Sequence, residues 1–319
     1  MKVKAQADDT KAVRNSKFSI FDAIGNTPLV ELKNLNGHSK VRILGKLEGG
    51  NPGGSVKDRP AYYMIIKGEE SGKLTRDKTI VEPTSGNMGI ALAMIGAARG
   101  YHVKLFMPEC VSTERQRTLA ALGAEVILTP AEESTDGAIT RARQLVSEEA
   151  DKYFMPNQFD NVANVLAHYE TTGPEILAQT NGEVDILVAG MGTTGTLMGT
   201  GKYLKEKKRG LKVIAVEPTV GHTIQGLKNM KESIVPKIYH PEIFDEKVVV
   251  EDEEAFETTR LLAVNEGLFV GMSSGAAVAG ALQVARNLDS GTIVVILPDR
   301  GDRYLSTTLF RSVCACCPP

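Results

Sequence analysis

Short apolar runs alternate with helical patterns along most of the chain, and this alternation limits the possible folds more than any other feature. In the first half, strands are predicted at Val41–Leu47, Thr79–Glu82, Val103–Met107 and Glu125–Leu128. Helical patterns occur at Arg59–Ile66, Asn87–Arg99, Ser112–Leu122 and Asp136–Glu149. Strand–helix–strand units of this kind form right-handed crossovers and parallel sheets.

A second series of the same kind begins after a polar loop at Asn157–Asn161. Its predicted helices are His168–Gln179, Thr196–Lys207, Glu253–Glu266 and Ser274–Arg286. Its predicted strands are Asp185–Ala189, Lys212–Val216, Lys247–Val250 and Thr292–Leu297, with irregular chain from Pro218 to Glu246. Two such blocks predict two α/β domains with mostly parallel sheets, and a ligand site in the cleft where their strand ends meet.

The composition is that of a globular protein with room for two domains. The 319 residues are 42% hydrophobic and 24% charged, with a formal net charge of −2. This balance gives no reason to expect binding to nucleic acid or to acidic membranes, and no apolar run approaches membrane-spanning length. Residues 1–16 are polar and lack the apolar core of a signal peptide, so they predict a flexible arm on a cytoplasmic protein.

The cysteines and histidines do not follow a metal-binding pattern. Four cysteines are too few for a disulfide framework. Cys110 is predicted to be a small, partly buried side chain, and Cys314, Cys316 and Cys317 to lie in a loose tail. The five histidines are scattered, so no metal site is predicted.

The stretch Asn51-Pro-Gly-Gly-Ser-Val-Lys-Asp58 sets Lys57 in a glycine-rich turn at the start of a predicted helix. The positive end of the helix dipole disfavours a second positive charge and makes the neutral amine easier to reach. A neutral amine is what a carbonyl cofactor needs to form a Schiff base. The alternative is an ordinary surface lysine, which this stretch by itself does not exclude.

The loop Gly190-Met-Gly-Thr-Thr-Gly195 follows a predicted strand and opens a predicted helix, and Glu217 ends the next strand. This pattern matches the dinucleotide fingerprint of a nicotinamide dehydrogenase. However, Thr193, Thr194 and Thr196 add hydroxyl donors, which are enough to surround the oxygens of a single phosphate. A monophosphate cofactor is therefore favoured.

Two further glycine turns lie between strand and helix patterns. Thr84-Ser-Gly-Asn-Met-Gly89 offers hydroxyl, amide and N–H groups that suit a substrate carboxylate, and Gly271-Met-Ser-Ser-Gly275 repeats the arrangement. Ordinary α/β turn chemistry explains any one of these loops. Three such loops together with a lysine turn favour a ligand site.

Five motifs in order resemble those of the cysteine synthases, which are tryptophan-synthase-β-like (fold type II) pyridoxal-phosphate enzymes built of two three-layer α/β domains. They are Asn51-Pro-Gly-Gly-Ser-Val-Lys-Asp-Arg59, Pro83-Thr-Ser-Gly-Asn87, Gly192-Thr-Thr-Gly-Thr196, Gly271-Met-Ser-Ser-Gly-Ala276 and Asp302-Arg-Tyr-Leu-Ser-Thr307. The resemblance runs from about Ile20 to Phe310. Residues 190–198 and 299–303 look more like the B-type (CysM-like) branch.

The resemblance implies pyridoxal 5′-phosphate as cofactor and a role for each matching residue. Lys57 would bind the cofactor covalently and then act as general base at the substrate α-carbon. Asn87 would hydrogen-bond the ring hydroxyl, and Ser273 would face the pyridine nitrogen. The phosphate would be held by Gly192, Thr193, Thr194, Gly195 and Thr196. The substrate-binding residues would include Thr84, Ser85, Gly86, Met88 and Gln158.

Two positions depart from the family pattern. Met88 stands where the family usually has threonine, which removes a hydroxyl from the carboxylate loop. Lys228 stands where some members that use O-phosphoserine have an arginine. We hypothesise that Lys228 provides a cation for a phosphorylated leaving group, although lysine lacks the bidentate fork. A solvated lysine in an irregular segment is the alternative.

The implied reaction is a β-replacement that makes L-cysteine from O-acetylserine or O-phosphoserine and a sulfur donor, through an aminoacrylate intermediate. Cystathionine formation, and cysteine desulfurisation to sulfide or lanthionine, stay open on the same scaffold. A more distant alternative is a non-catalytic binding partner of serine acetyltransferase.

The resemblance also implies an assembly and a division into domains. It implies a homodimer, with a sulfur-carrier protein or serine acetyltransferase as candidate partner. Residues 17–50 would pack largely with the C-terminal domain. A smaller mobile domain would span residues 51–160, and a larger phosphate-binding domain residues 161–319.

Overall fold

The computed structural model describes residues 19–37, 40–84 and 86–311. The strands in these ranges are β1 (Leu29–Glu31), β2 (Val41–Leu47), β3 (Thr79–Pro83), β4 (Val103–Pro108), β5 (Glu125–Thr129), β6 (Tyr153–Phe154), β7 (Ile186–Gly190), β8 (Lys212–Pro218), β9 (Glu246–Val250) and β10 (Gly291–Leu297). The α-helices are α1 (Asp58–Glu70), α2 (Asn87–Arg99), α3 (Thr113–Ala121), α4 (Ser134–Glu148), α5 (Val162–Ala167), α6 (Gly173–Gln179), α7 (Gly195–Lys207), α8 (Asp252–Glu266), α9 (Met272–Ala285) and α10 (Thr308–Arg311).

The larger sheet has the strand order β1-β2-β10-β7-β8-β9. Its neighbouring strands are parallel, except that β1 and β2 pair antiparallel. Strand β2 lies beside β10 along its whole length, from the pair Val41–Gly291 to the pair Leu47–Leu297. Strand β2, which precedes the Lys57 turn in the chain, is therefore part of the sheet formed mainly by the second half of the chain.

The smaller sheet has the order β5-β4-β3-β6, and its strands are all parallel. Strand β3 is central, and the loop that begins at Thr84 leaves its carboxyl end. The two-residue strand β6 is not predicted from the sequence, because Tyr153–Phe154 is too short to show a periodicity. Ligand loops follow the carboxyl ends of parallel strands, so this sheet places its loop as the sequence predicts.

Each sheet lies between two layers of helices, because alternate side chains of a strand point to opposite faces. In β10, Val295 packs with residues of α8 and α9, whereas Val294 packs with residues of α7. In β3, Ile80 packs with residues of α1 and α2, whereas Val81 packs with residues of α4. The predicted fold class, three-layer α/β with mostly parallel sheets, is confirmed.

One predicted helix differs from the structure. Instead of a single helix at His168–Gln179, the chain forms α5, a π-helical segment at His168–Thr172 and then α6. The side chain of Asn161 accepts a hydrogen bond from the Ala163 N–H at 2.9 Å, which starts α5 before the predicted position. Pro174 lacks the N–H that a continuous α-helix needs, so the regular helix is interrupted before α6.

Some sequence predictions fall outside the described residues. These are the arm at residues 1–16, Ser85 in the carboxylate loop, and the tail cysteines Cys314, Cys316 and Cys317. Among the helices of the described ranges, none is long and apolar enough to cross a bilayer.

Candidate active site

A cavity of about 460 Å³ is lined by loops that belong to both sheets. Its walls include eight residues singled out in the sequence: Lys57, Thr84, Asn87, Met88, Gln158, Gly192, Thr193 and Lys228. A smaller cavity of about 40 Å³ shares Lys57 and Asn87 with the first and is also lined by Thr194, Thr196 and Ser273. Loops that are far apart in the sequence therefore meet at one place.

Lys57 lies at the N-cap position of α1. The hydrogen bonds that hold the turn before it include one from Val56 N–H to the Pro298 carbonyl at 2.8 Å and one from Lys57 N–H to Ser55 Oγ at 3.2 Å. Burial lowers the pKa of Lys57 to about 8, and the charge of Asp299 opposes this shift in part. The sequence predicts the same direction from the helix dipole, but burial is the main cause.

Arg59 anchors the start of α1 in a buried ion cluster. Its guanidinium contacts Glu48 through Nε and Oε2 at 2.7 Å and Glu175 through Nη1 and Oε1 at 2.6 Å. Lys46 also reaches Glu175, at 2.7 Å. Glu48 follows β2 and Glu175 lies on α6, so the cluster ties the Lys57 turn to the larger sheet. Glu175 is more than a hundred residues from Arg59 in the sequence, and no local pattern identifies these partners.

The loop between β7 and α7 forms an anion cradle. Thr194 has a φ of 71°, in the left-handed region that a β-branched residue rarely adopts. Its Oγ1 is buried without a hydrogen-bond partner among the described residues. A strained backbone and an unsatisfied buried hydroxyl together indicate a ligand group at this place. The first turn of α7 carries no acidic residue, so its positive dipole end favours an anion such as a phosphate.

Close contacts explain the glycines of the cradle. A Cβ atom at Gly192 would lie 2.5 Å from the carbonyl oxygen of Gly226, and one at Gly195 would collide with the side chain of Asn164. Ser273, in the first turn of α9, is buried beside the cradle and lines the smaller cavity. The loop between β7 and α7 can approach Gly226 and Asn164 this closely only because glycine has no side chain.

Asn164 joins two parts of the site and was not identified from the sequence. Its Nδ2 donates to the Thr193 Oγ1 at 3.1 Å and to the Gln158 carbonyl oxygen at 2.8 Å. The phosphate cradle and the Gln158 loop are therefore fixed to each other. Asn164 belongs to α5, whereas the sequence predicts no helix between the polar loop at Asn157–Asn161 and His168, so the sequence does not place Asn164 on a helix face.

His168 is a second buried side chain to which the sequence assigns no role. Its Nε2 lies 3.2 Å from Thr196 Oγ1, and its Nδ1 lies 2.9 Å from Thr172 Oγ1. Burial is the main cause that lowers the pKa of His168 to about 3, so the ring is neutral and can hold the Thr196 hydroxyl. Its i, i+4 spacing from Asn164 is the one local signal of a shared helix face.

The loop after β3 carries the predicted carboxylate site. Thr84 Oγ1 accepts hydrogen bonds from Gly86 N–H at 3.0 Å and Gly89 N–H at 3.3 Å. Gly86 has a φ of 148°, which glycine adopts readily and other residues do not. Met88 is buried in the core of the smaller sheet and also lines the cavity. It therefore offers apolar surface where the family's threonine would offer a hydroxyl.

A buried carboxyl group, Glu82, holds the loop that carries Gln158. Its Oε1 and Oε2 accept the backbone N–H groups of Gln158 and Asn157 at 2.9 and 2.7 Å. The Gln158 Nε2 in turn donates to the Pro83 carbonyl at 3.1 Å. Burial raises the pKa of Glu82 to about 8, although the two backbone N–H groups favour its charged form.

Lys228 contributes a cation to the cavity wall. Its Nζ lies 3.4 Å from Asp136 Oδ1 and 5.1 Å from the centroid of the Phe159 ring. The ion pair joins α4 of the smaller sheet to the irregular segment between β8 and β9. The Lys228 side chain is 13% exposed, so the alternative of a solvated lysine is wrong.

Cys110 also differs from its prediction. It is exposed and lines the larger cavity, because it lies in the turn just beyond β4 and not within the core. Within the described ranges, no group of three or more His, Cys, Asp or Glu side chains is arranged to hold a metal ion.

Comparison with known proteins agrees with this geometry. The profile of the family described as "Pyridoxal-phosphate dependent enzyme" matches residues 20–299. Cysteine synthase B from Salmonella typhimurium is 45% identical over 287 residues, which cover 90% of this chain and 94% of that protein.

Solved structures show the same fold. The crystal structure of an O-ureido-L-serine synthase superposes with a TM-score of 0.88 at 40% identity, covering 93% of this chain and 96% of that one. An O-acetylserine-dependent cystathionine β-synthase from Helicobacter pylori gives a TM-score of 0.86 at 39% identity, covering 92% of this chain and 98% of that one. This chain belongs to the pyridoxal-phosphate-dependent enzyme family.

Proposed function

We propose that this protein is a cysteine synthase-type enzyme that makes L-cysteine from an activated serine and a sulfur donor by β-replacement. The observation that carries the proposal is the meeting of Lys57, whose pKa is lowered to about 8, with a strained anion cradle in adjoining cavities. Pyridoxal phosphate needs both, a reactive amine for its aldehyde and an anion site for its phosphate. The similarity to cysteine synthase B names the reaction within the family.

The residues present fit pyridoxal phosphate. The unsatisfied Thr194 hydroxyl and the start of α7 would bind the phosphate, together with Thr193 and Thr196. Asn87 would donate to the ring hydroxyl, and Ser273 would face the pyridine nitrogen. When bound, pyridoxal phosphate supplies an electron sink that acidifies the α-carbon of an amino acid.

Each step at the substrate is assigned to a group of this chain. Lys57 would hold the cofactor, be displaced by the incoming amino acid and then remove the α-proton through Nζ. A pKa near 8 suits this role, because the neutral fraction of the amine near neutral pH is far larger than for a lysine with the ordinary pKa of 10.5. Thr84, Ser85 and Gln158 would bind the substrate carboxylate, and Asn164 would hold Gln158 at a fixed distance from the phosphate.

The neutral hydroxyl of Ser273 favours elimination over other reactions of amino acids. A carboxylate at the pyridine nitrogen would strengthen electron withdrawal into the ring, whereas a hydroxyl limits it. Reactions that need a strong electron sink are then slowed, and elimination of the β-leaving group is favoured over them. The leaving group would be acetate or phosphate, and Lys228 is the candidate cation for phosphate.

A visible absorbance spectrum before and after addition of O-acetylserine tests the proposal. We expect a visible band from cofactor bound to Lys57, a change of this band with the amino acid, and cysteine production when sulfide is added. Lys57→Ala should lose turnover, whereas Lys67→Ala, at an exposed site on the same helix, should keep it. A colourless protein after incubation with pyridoxal phosphate would contradict the proposal and favour a non-catalytic binding protein.

The protein acts on small molecules, as its relatives do, and we propose a homodimer in the cytoplasm as its working form. The family resemblance supports the homodimer, as it supports serine acetyltransferase or a sulfur-carrier protein as a binding partner. Light scattering would measure the oligomeric state, and fractionation of cells would test the location. A monomer at micromolar concentration would contradict the first part.

A further inference from the structure

We propose that Asp299 and Arg303 are positioning residues that fix the amide of Asn87, so that Asn87 offers an N–H donor and not its carbonyl oxygen to the cofactor. The inference rests on the proposed function and names the residues that set one of its cofactor contacts. It gives a role to the Asp299-Arg-Gly-Asp-Arg303 motif, which contributes no residue to the walls of either cavity.

Two hydrogen bonds determine which way the Asn87 amide faces. Its Nδ2 donates to Asp299 Oδ2 at 2.6 Å, and its Oδ1 accepts from Arg303 Nη1 at 2.5 Å. A carboxylate can only accept and a guanidinium can only donate, so both partners select the same orientation. A rotated amide would place a donor against a donor and an acceptor against an acceptor.

The remaining Nδ2 hydrogen is what the cofactor would use. Asn87 lines both cavities beside Lys57, and Asp299 is the one acceptor of its Nδ2 among the described residues. A primary amide has two N–H donors, so one stays available for an acceptor in the cavity. The ring hydroxyl of pyridoxal phosphate, which lies next to the aldehyde that Lys57 would bind, is such an acceptor.

Asp299 and Arg303 are themselves held in place. Asp299 is 1% exposed, and its Oδ2 also accepts the Tyr304 hydroxyl at 2.7 Å. Burial raises the pKa of Tyr304, so this hydroxyl stays a donor. Arg303 is buried as well, and its Nη2 donates to the Gly53 carbonyl of the lysine turn.

The same motif provides a matched control. Arg300 and Asp302 form an ion pair at 2.8 Å, with side chains that are 55% and 45% exposed. The motif therefore contains one buried Asp/Arg set that contacts Asn87 and one exposed set that does not. Since both sets carry the same charges, substitutions at the two arginines can be compared directly.

The test measures the dissociation constant of the cofactor-free protein for two ligands. These are pyridoxal phosphate and an analogue that lacks the ring hydroxyl. We expect Arg303→Met and Asp299→Ala to bind pyridoxal phosphate about 10-fold or more weakly than the wild type, because a hydrogen bond to a polar ring oxygen is lost. For the analogue, Arg303→Met should bind as the wild type does. Asp299→Ala also removes a charge that acts on Lys57, so for this variant the expected result is a greater loss of affinity for pyridoxal phosphate than for the analogue.

Further variants complete the design. Arg300→Met should match the wild type for both ligands, and Arg303→Lys, which keeps a donor, should recover most of the affinity. Asn87→Ala should lose as much as Arg303→Met, and the double variant should lose no more than either one, because they remove a single contact.

Two results would overturn the inference. Equal losses of affinity for both ligands would show a general effect on folding, and unchanged affinity for pyridoxal phosphate would show that the fixed amide does not contribute to binding. If Arg303→Met does not fold, as judged by circular dichroism, Asp299→Ala carries the same comparison. A wild-type protein that binds no pyridoxal phosphate would overturn the proposed function and this inference together.

Discussion

Replacement of Thr194 by valine would separate the stability of the protein from its affinity for a phosphate. The substitution keeps the branched shape and the left-handed backbone of Thr194 but exchanges its hydroxyl for a methyl group. In the cofactor-free protein this hydroxyl has no partner among the described residues. With the cofactor bound, it would donate to a phosphate oxygen. The two forms should therefore respond in opposite directions.

The magnitudes follow from the cost of an unsatisfied group and the strength of a charged hydrogen bond. A buried polar group without a partner costs about 1–3 kcal/mol, so valine should raise the free energy of unfolding of the cofactor-free protein by up to that amount. A hydrogen bond to a charged group contributes about 1.5–3 kcal/mol, so the dissociation constant for pyridoxal phosphate should rise about 10- to 150-fold.

Thr200→Val is the matched control for this prediction. Thr200 lies on the same helix, α7, is fully buried, and also has a hydroxyl without a partner among the described residues, but it lines neither cavity. It should stabilise the cofactor-free protein and leave cofactor affinity unchanged. Urea unfolding after removal of pyridoxal phosphate measures the first effect, and an absorbance titration measures the second.

Two results would refute the reasoning. If Thr194→Val weakens cofactor binding no more than Thr200→Val does, the Thr194 hydroxyl does not contact the phosphate. If Thr194→Val destabilises the cofactor-free protein by more than about 1 kcal/mol, the hydroxyl has a structural partner and does not indicate a ligand site.

Three other predictions concern the cavity wall and its supports. The first concerns the ratio of kcat/KM for O-phosphoserine to kcat/KM for O-acetylserine. Lys228→Ala should lower this ratio, and Asp136→Asn should raise it, because the Asp136 change removes the carboxylate that neutralises Lys228. An unchanged ratio in both variants would exclude Lys228 as the phosphate contact. Glu82 has a pKa raised to about 8 in the folded protein, so it binds more protons there than in the unfolded chain, and its contribution to stability falls as pH rises from about 4.5 to 8. The free energy of unfolding of Glu82→Gln relative to wild type, measured in urea, should therefore be higher at pH 8 than at pH 5. An equal difference from wild type at the two pH values would contradict the raised pKa. Arg59→Met should lower the free energy of unfolding by about 3–5 kcal/mol, since it leaves Glu48 buried and uncompensated; a loss below about 1 kcal/mol in urea unfolding would show that the cluster is dispensable.

The sequence predicts those parts of the fold and site that have a local cause. Apolar runs bounded by turns locate the central strands to within one or two residues, as for β2 and β10. Glycine loops after strands predict where ligands bind, because an N–H cluster at a helix start is a property of a few adjacent residues. The position of Lys57 at the start of α1 is of this kind.

What the sequence does not predict depends on contacts between distant residues. The sequence suggests a dipole effect on Lys57, whereas burial is the main cause of its lowered pKa, and burial depends on distant parts of the chain such as Pro298, whose carbonyl accepts from Val56 in the same turn. Likewise, nothing near Arg59 announces Glu175, more than a hundred residues later, as its partner. Asn164 was missed for a related reason, because its role depends on α5, whose start is set by the Asn161 cap and not by a long periodic pattern.

The two sheets contribute different parts of the proposed chemistry. The cradle at Thr194 belongs to the larger sheet, and the Arg59 cluster ties Lys57 to it, so the lysine and the phosphate-binding groups form one unit, whereas Asn87, which would contact the ring hydroxyl, belongs to α2 beside the smaller sheet. The loop at Thr84 belongs to the smaller sheet and would bind the substrate carboxylate. Substitutions in the first unit and at Asn87 should change cofactor affinity, and those at Thr84 should raise KM. Asn164 contacts both the cradle and the Gln158 loop, so its replacement by alanine should change both quantities together.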